Sequence, residues 1–425
     1  MVVSHRNLVN AITSYLFQLN NFPFTSMDRC IAYLPLAHVL ELIAENTMLV
    51  HGFGIGYSSP NTLTDKSTMI RTGGKGDAIV LKPTVMFAVP LVLERIYKGI
   101  QANVKKKCKL FEKVFDFCVH YKIAATQRGE ITPIMDELIF KSIAKLIGGR
   151  LRAIVTGGAP LSPATHEYIR ACMCCPILQG YGLTETAACV TVMGMDENST
   201  GRVGPPCQGI SIRLDNWEEG NYRVTDTQGP RGEIVIGGAN VTEGYYKMPG
   251  KTAEDYFSEA GQRWFRSGDI GQMEKDGTLR VIDRKKDLVK LQSGEYVSLG
   301  KVESVLKTSC LVENICIYAD PYRSSVVALL CPDRINLDIL ATRIGIGNKE
   351  FAEQCRDKVL IGAVLKELIQ TGRKQNLAKF EVPSAVTLCL DIWTPEGGLV
   401  TTAFKLKRKP LQKFYQKYID TMYGA

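Results

Sequence analysis

An uninterrupted apolar run long enough to cross a bilayer is missing from this 425-residue sequence. A spanning helix needs about 20 consecutive, mostly apolar residues. The longest candidate, Ile31 to Val50, is broken by Pro35, Glu41 and Glu45. The first residues carry no signal-peptide pattern. Histidine is scarce, at five residues, and none falls in an HExxH spacing. No Cys/His spacing reads as a zinc site. The thirteen cysteines stand singly or in the cluster Cys172, Cys174 and Cys175. An odd, scattered set reads as reduced, mostly buried thiols of a cytosol-facing protein. Dense interleaving of basic and aromatic residues is also missing, so a nucleic-acid partner is not expected.

What is present is ordinary for a globular protein: 45% hydrophobic and 22% charged residues. The length allows two or three domains at roughly 150 residues each, and a sizeable core. A net charge of +9 suits an anionic substrate or an anionic membrane surface.

The chain is organised around Gln179-Gly180-Tyr181-Gly182-Leu183-Thr184-Glu185-Thr186. The apolar, Cys-rich run Ala171 to Leu178 before it predicts a buried strand, broken by Gly180 and Gly182. Two glycines around an aromatic let backbone approach a flat or charged ligand. Thr184 adds a hydroxyl, and Glu185 is a hard oxygen donor suited to Mg²⁺. The pattern fits a nucleotide-phosphate site, and equally an ordinary strand-to-loop turn.

Three further motifs follow in order: Phe265-Arg266-Ser267-Gly268-Asp269, Asp283-Arg284-Lys285-Lys286-Asp287-Leu288 and Thr401-Thr402-Ala403-Phe404-Lys405. Together with Tyr181 to Glu185 they resemble the core motifs of the adenylate-forming enzymes, which include acyl-CoA synthetases, luciferases and peptide-synthetase adenylation domains. The segment Lys290 to Glu303, with Gly294-Glu295-Tyr296-Val297-Ser298 inside it, is similar to eukaryotic long-chain fatty acid–CoA ligases, nearest the branch that favours polyunsaturated chains.

That resemblance implies an α/β fold. It has doubly wound sheets plus a small β-barrel in a large N-terminal domain, 1–283, then a hinge, 284–288, and a small mobile α+β domain, 289–425. It implies ATP, Mg²⁺ and coenzyme A as cofactors and a long-chain fatty acid as substrate. Glu185 would hold Mg²⁺ and Thr184 the α-phosphate. Gly157-Gly158-Ala159 and Tyr181 would meet adenine, Gly182 would belong to the same nucleotide site, and Asp269 with Arg284 would fix the ribose. Lys405 would bridge the carboxylate and the α-phosphate. Asp283 and Lys286 would form the hinge, Gly294 would pass the pantetheine arm, and His38 would line the acyl pocket. The full-length family member sits on the cytosolic side of the endoplasmic reticulum or another intracellular membrane. In the family, a Gly/Ser/Thr-rich phosphate loop and a membrane anchor precede the segment that opens here. The chain is therefore expected to be an N-terminally truncated form that binds ATP weakly, and Gly73-Gly74-Lys75-Gly76 lacks the setting of a substitute loop.

The rest of the chain reads as alternating elements. Met1 to Leu8 enters a helical pattern without a cap-like leader. Arg29 to His38 is a short strand ending at a Pro-marked bend, and a lone His there is more often structural than functional. Ala78 to Pro90 reads as a strand, and Val92 to Ile123 as helix with Phe111, Val114, Phe115, Cys118 and Tyr121 on one face. Lys105, Lys106, Lys107, Lys109 and Lys113 crowd its polar side, so it reads as a solvated face or as a helix lying on an anionic membrane. Leu151 to Ser162 is strand, glycine turn and helix start, the grammar of a doubly wound sheet. From Gly209 to Asp283 the period becomes two. Helix is expected at Val302 to Lys307, strands at Ile315 to Ala319 and Val326 to Cys331, and helices at Glu350 to Gln370. Three functions compete. One is a CoA ligase, another a non-catalytic acyl- or nucleotide-binding remnant, and the third an adenylating enzyme that passes the acyl group to oxygen or a carrier protein. The Gly294 to Ser298 wording favours the first.

Overall fold

The computed structural model describes residues 1–19, 22–65, 67, 69–227, 229–401 and 405–424. The chain forms two compact units, Met1–Val281 and Ile282–Ala425; the expected division at 283 lies two residues further on.

The first unit is built on a six-stranded sheet of β1 (Arg29–Ala32), β2 (Gly54–Tyr57), β3 (Val85–Ala88), β4 (Ala153–Thr156), β5 (Ile177–Tyr181) and β6 (Thr191–Val192), in the order β2-β1-β3-β4-β5-β6. All neighbours are parallel except β5 and β6. One core packs Tyr15 of helix His5–Gln18 and Ile43 and Met48 of helix Val39–Val50 with Phe87, Val155 and Leu178. Another packs Leu93, Ile100, Phe115 and Ile169, from helices Pro90–Lys105, Lys109–Gln127 and Pro163–Met173, with Met86, Ile154 and Ile177. Alternate strand residues thus enter two different cores, as the pleat requires. The near-continuous apolar strands reflect this double burial.

The expected small β-barrel is realised as a five-stranded antiparallel sheet. Its strands are β7 (Ile210–Asp215), β8 (Arg231–Gly238), β9 (Tyr256–Glu259), β10 (Gln262–Met273) and β11 (Leu279–Arg284), in the order β11-β10-β8-β7 with β9 beside β10. The second unit holds the hairpin β12 (Leu288–Lys290) and β13 (Tyr296–Ser298). It also holds a sheet of β14 (Val312–Ala319), β15 (Val326–Pro332) and β16 (Ala385–Leu388). Helices Leu299–Leu306 and Lys358–Lys374 pack on that sheet through Val302, Leu306, Leu360, Val364 and Leu368.

Four expectations need correction. The run Ala171 to Leu178 is not one strand: Ala171–Met173 close the helix begun at Pro163, Cys174 turns left-handed with φ 55°, and β5 runs through Gly180 to Tyr181. Small apolar residues fit a buried helix end as well as a strand, so composition did not separate them. Ala78 to Pro90 divides into a short helix, Asp77–Leu81, and β3. Val92 to Ile123 falls in two helices interrupted at Lys106 to Cys108; the second, Lys109–Gln127, buries Phe115, Cys118, Val119 and Ala125 and half-buries Phe111, while Val114 and Tyr121 are exposed. The first helix does have a cap. The Ser4 hydroxyl accepts from the Asn7 N–H at 3.3 Å, and the Ser4 N–H donates to Asn7 Oδ1 at 2.9 Å.

One buried pair makes stability depend on pH. Glu41 and Glu45, one turn apart on helix Val39–Val50, are 2% and 7% exposed. Among the described residues no cation pairs with either. Cys30 and Tyr33 from β1 and its exit, and Tyr57 from β2, face them; the Tyr57 hydroxyl donates to Glu45 Oε2 at 3.1 Å. Burial, then the neighbouring Glu45, pushes the Glu41 carboxyl up from 4.5 to about 8. The raised folded value favours the protonated form. Its stabilisation is therefore complete below about pH 4.5 and is lost as pH rises to about 8. At ~1.4 kcal/mol per unit, the loss is about 3–5 kcal/mol. Urea unfolding at pH 5 and pH 9 should show this fall in the natural chain and a flatter profile in Glu41→Gln. Parallel profiles would mean that Glu41 does not titrate in this window.

Candidate active site

The organising stretch leaves the sheet at the C-terminal end of β5, the edge at which open α/β sheets place ligands. Thr156 of β4 is paired with Gln179, and Tyr181 with Thr191 of β6. A Cβ on Gly182 would stand 2.0 Å from the Ala188 carbonyl oxygen and 2.4 Å from its carbon, so only glycine lets the loop fold back there. The loop turns through Thr184–Thr186, where the Ala188 N–H donates to the Leu183 carbonyl at 2.9 Å. Ala187 and Ala188 then take left-handed φ values of 48° and 63°, strained for residues with a Cβ. Surrounding groups over-determine this shape. The Asn240 amide, 1% exposed, donates to the carbonyls of Thr186 and Cys189, at 3.0 and 2.5 Å. The Tyr15 hydroxyl donates to the Ala188 carbonyl at 2.9 Å.

Two expected site residues from distant motifs meet directly. Between Arg266 and Ile270 the pairing of β10 with β8 shifts register, and Ser267-Gly268-Asp269 occupies this irregularity. The Ser267 hydroxyl donates to the Ile234 carbonyl at 2.6 Å, and the Gly268 N–H donates to Glu233 Oε1 at 3.1 Å. Such a bulge re-aims a side chain. Here Asp269, 3% exposed, accepts from the Tyr181 hydroxyl at 2.6 Å across 88 positions of sequence.

Glu185 is half-buried, and its Oε1 accepts from the Tyr245 hydroxyl at 3.1 Å. Tyr245 also reaches Asp255 Oδ2 at 3.1 Å, and burial followed by Glu185 raises its pKa. The Glu185 carbonyl accepts from the Thr242 N–H at 2.9 Å, and Thr184 is exposed. Gly157-Gly158-Ala159 follows β4 beside this loop. A Cβ on Gly157 would lie 3.1 Å from the Gly180 carbonyl oxygen, and Gly158 has φ 85°. The first unit therefore brings together Gly157–Ala159, Tyr181 to Glu185 and Asp269.

His38 is the N-cap of helix Val39–Val50, with Nδ1 accepting from the Leu40 N–H at 3.2 Å. That is a structural role. A small apolar cleft in this unit is lined by Leu19, Leu40, Ile43, Ala44, Phe87 and Val192, among others, without His38.

The remaining expected residues belong to the second unit. Asp283 is 6% exposed and accepts from the Ser298 hydroxyl at 2.6 Å and the N–H groups of Arg284 and Gly300, at 2.7 and 3.2 Å. Burial still pushes its carboxyl up, to about 6. Arg284 and Lys286 are exposed. Gly294 is an exposed turn residue with φ 96° between β12 and β13. Lys405 stands at the foot of a loop: its N–H donates to Thr401 Oγ1 at 3.1 Å, and its carbonyl accepts from the Thr401 N–H at 2.8 Å. Thr402, Ala403 and Phe404 of the same motif lie outside the described residues.

Asn240 and Tyr245 were not foreseen. Their only sequence signal is proximity to glycines, Gly238 and Gly244, which have φ values of 153° and 126°.

Residues 1–246 match the family model described as AMP-binding enzyme. The whole chain is 44% identical to long chain acyl-CoA synthetase 8 of Arabidopsis thaliana, covering 60% of that protein. It is also 36% identical, again along its whole length, to long-chain-fatty-acid–CoA ligase 2 of Schizosaccharomyces pombe, covering 62% of it. The chain thus spans about three fifths of these curated relatives. Among solved structures it is similar to the A domain of carboxylic acid reductase from Segniliparus rugosus, in complex with AMP and a co-purified carboxylic acid. The TM-score is 0.76 and the identity 25%, over 99% of this chain and 58% of that one.

Proposed function

The chain belongs to the AMP-binding enzymes, and from that premise we propose that it serves the ATP-dependent ligation of a long-chain fatty acid to coenzyme A through an acyl-adenylate. The supporting observation is the Tyr181–Asp269 hydrogen bond. It joins two motifs distant in sequence beside the Gly157–Ala159 turn, in a chain 44% identical throughout to a long-chain acyl-CoA synthetase.

A carboxylate is a poor electrophile because oxide is a very poor leaving group. In the proposed first step its oxygen attacks the α-phosphorus of ATP and pyrophosphate departs. In the second the thiolate of coenzyme A attacks the acyl carbon and AMP departs. Such chemistry needs positioning and charge neutralisation. Tyr181 would present its ring to adenine while Asp269 holds its hydroxyl. Asp269 and Arg284 would take the ribose hydroxyls, and Thr184, already exposed, would donate to the α-phosphate. Lys405 would bridge the carboxylate and the α-phosphate, where negative charge grows. We assign Asp283 and Lys286 to a hinge and Gly294 to the passage of the pantetheine arm.

Among the described residues no group of three or more His, Cys, Asp or Glu could hold a metal ion. Glu185 offers one half-buried carboxylate oriented by Tyr245. One carboxylate completed by substrate phosphates is a donor set that fits Mg²⁺. Bound there, Mg²⁺ would neutralise phosphate charge.

The test is fatty-acid-dependent exchange of labelled pyrophosphate into ATP. It should be run on this chain and on a form extended to the length of its relatives. Exchange with a long-chain acid is expected in the extended form. No exchange with any acid from lauric to docosahexaenoic would refute the reading.

A further inference from the structure

Helix Lys109–Gln127 is apolar on two sides. Its inner side is buried in the core. At ~100° per residue, Leu110, Val114, Phe117 and Tyr121 fall within about 60° of one another on a separate stripe. These four are 72%, 42%, 64% and 45% exposed. A second helical segment, 133–144, packs beside the helix. The Phe140 ring meets Phe115 edge-on at 5.8 Å, and Asp136 pairs with Lys122 at 2.5 Å. On this neighbour Ile134 and Leu138 are also exposed, at 74% and 73%. Single exposed apolar residues are normal, but a stripe four long on one helix face marks an interaction surface.

The charge around the stripe indicates what it meets. Residues 105 to 113 hold five lysines, all exposed, against one acid, Glu112. Lysine is depleted in protein–protein interfaces. Apolar side chains bordered by lysines are instead the composition of a helix lying in a lipid headgroup layer. No helix among the described residues is long and apolar enough to cross a membrane. We propose that this face docks on an anionic bilayer surface. The stripe Leu110, Val114, Phe117 and Tyr121 enters the headgroup–acyl boundary, and Lys105 to Lys109 with Lys113 meet anionic headgroups. The proposal rests on this surface alone and not on the ligase reaction.

The test is co-sedimentation of the monodisperse 425-residue chain with vesicles of phosphatidylcholine, alone or with about one third phosphatidylserine. Binding should be about tenfold stronger to the anionic vesicles and should fall as salt rises. Leu110→Ser with Phe117→Ser should lower binding about tenfold with the melting temperature held, since both side chains already stand in water. Lys106→Glu with Lys107→Glu should abolish the preference for phosphatidylserine. Trp emission from Phe117→Trp should shift to the blue with anionic vesicles only. Indifference of the natural chain to phosphatidylserine, or undiminished binding by the double serine variant, would overturn the proposal. So would a double serine variant that only dissolves a dimer, because the face would then be a protein interface.

Discussion

Gly182→Ala is expected to unfold the Gly182–Ala188 loop and, under the proposed function, to remove ATP-dependent exchange altogether. The added methyl would stand 2.0 Å from the Ala188 carbonyl oxygen, 2.4 Å from the Ala188 carbonyl carbon and 3.0 Å from the Cys189 nitrogen. All three are backbone atoms, so no side chain rotates out of the way. The loop must open, and opening it breaks the Asn240 clamp on Thr186 and Cys189 and the Tyr15 bond to Ala188. Each buried group left without a partner costs about 1–3 kcal/mol. With overpacking added, the loss should exceed about 3 kcal/mol. For a unit of this size that lowers the melting temperature by roughly 6–12 °C. The control is Gly294→Ala. Its φ of 96° disfavours alanine, but beyond its two chain neighbours no atom lies within 4 Å of the added carbon. Only the conformational penalty of a left-handed residue with a Cβ, about 1–2 kcal/mol, should appear there. Equal, small shifts in both variants would show that the loop backbone yields without cost.

The contrast between these glycines shows what was legible in the sequence. Gly182 marks the turn after an aromatic, whereas Gly180 stays within β5, and resemblance to ordered motifs pointed to Tyr181, Glu185 and Asp269. Nothing local indicated that the Tyr181 hydroxyl would spend its hydrogen bond on Asp269, because the contact depends on a register shift in β10. Asn240 and Tyr245 lack a periodic or motif signal, and their value lies in partners more than fifty positions away. Period-two patterning located β7, β8 and β11, although β8 is buried on both faces from Gly232 to Gly237. Apolar composition failed at Ala171 to Cys175, where a helix end and a strand start are equally apolar. Helical periodicity merged two faces of helix Lys109–Gln127, since Val114 and Tyr121 are as apolar as buried Phe115 and Cys118 yet face water. Periodicity reports which residues share a stripe; it does not report which stripe the core covers.

Lys405→Ala should cost on the order of 10²-fold or more in acyl-adenylate formation, while leaving thioester formation from supplied acyl-adenylate nearly intact. The difference follows from where charge builds. When the carboxylate attacks the α-phosphate, two anionic centres approach, and a compact ammonium placed there lowers the barrier. In the second half-reaction the anhydride is already formed, and AMP leaves with a charge it carries in any case. Lys405 is half-buried at the foot of a loop closed by its own backbone bonds to Thr401, and alanine retains those bonds. Lys405→Arg keeps the charge but replaces a point donor with a planar fork, and should recover only part of the rate. Lys409→Ala, four residues on and exposed, removes the same charge from the same basic run and should do nothing to either step. Pyrophosphate exchange reports the first half-reaction, and release of AMP from supplied acyl-adenylate reports the second. Equal losses in both would make Lys405 a structural residue, and an equal loss in Lys409→Ala would show that only the overall charge of the run matters.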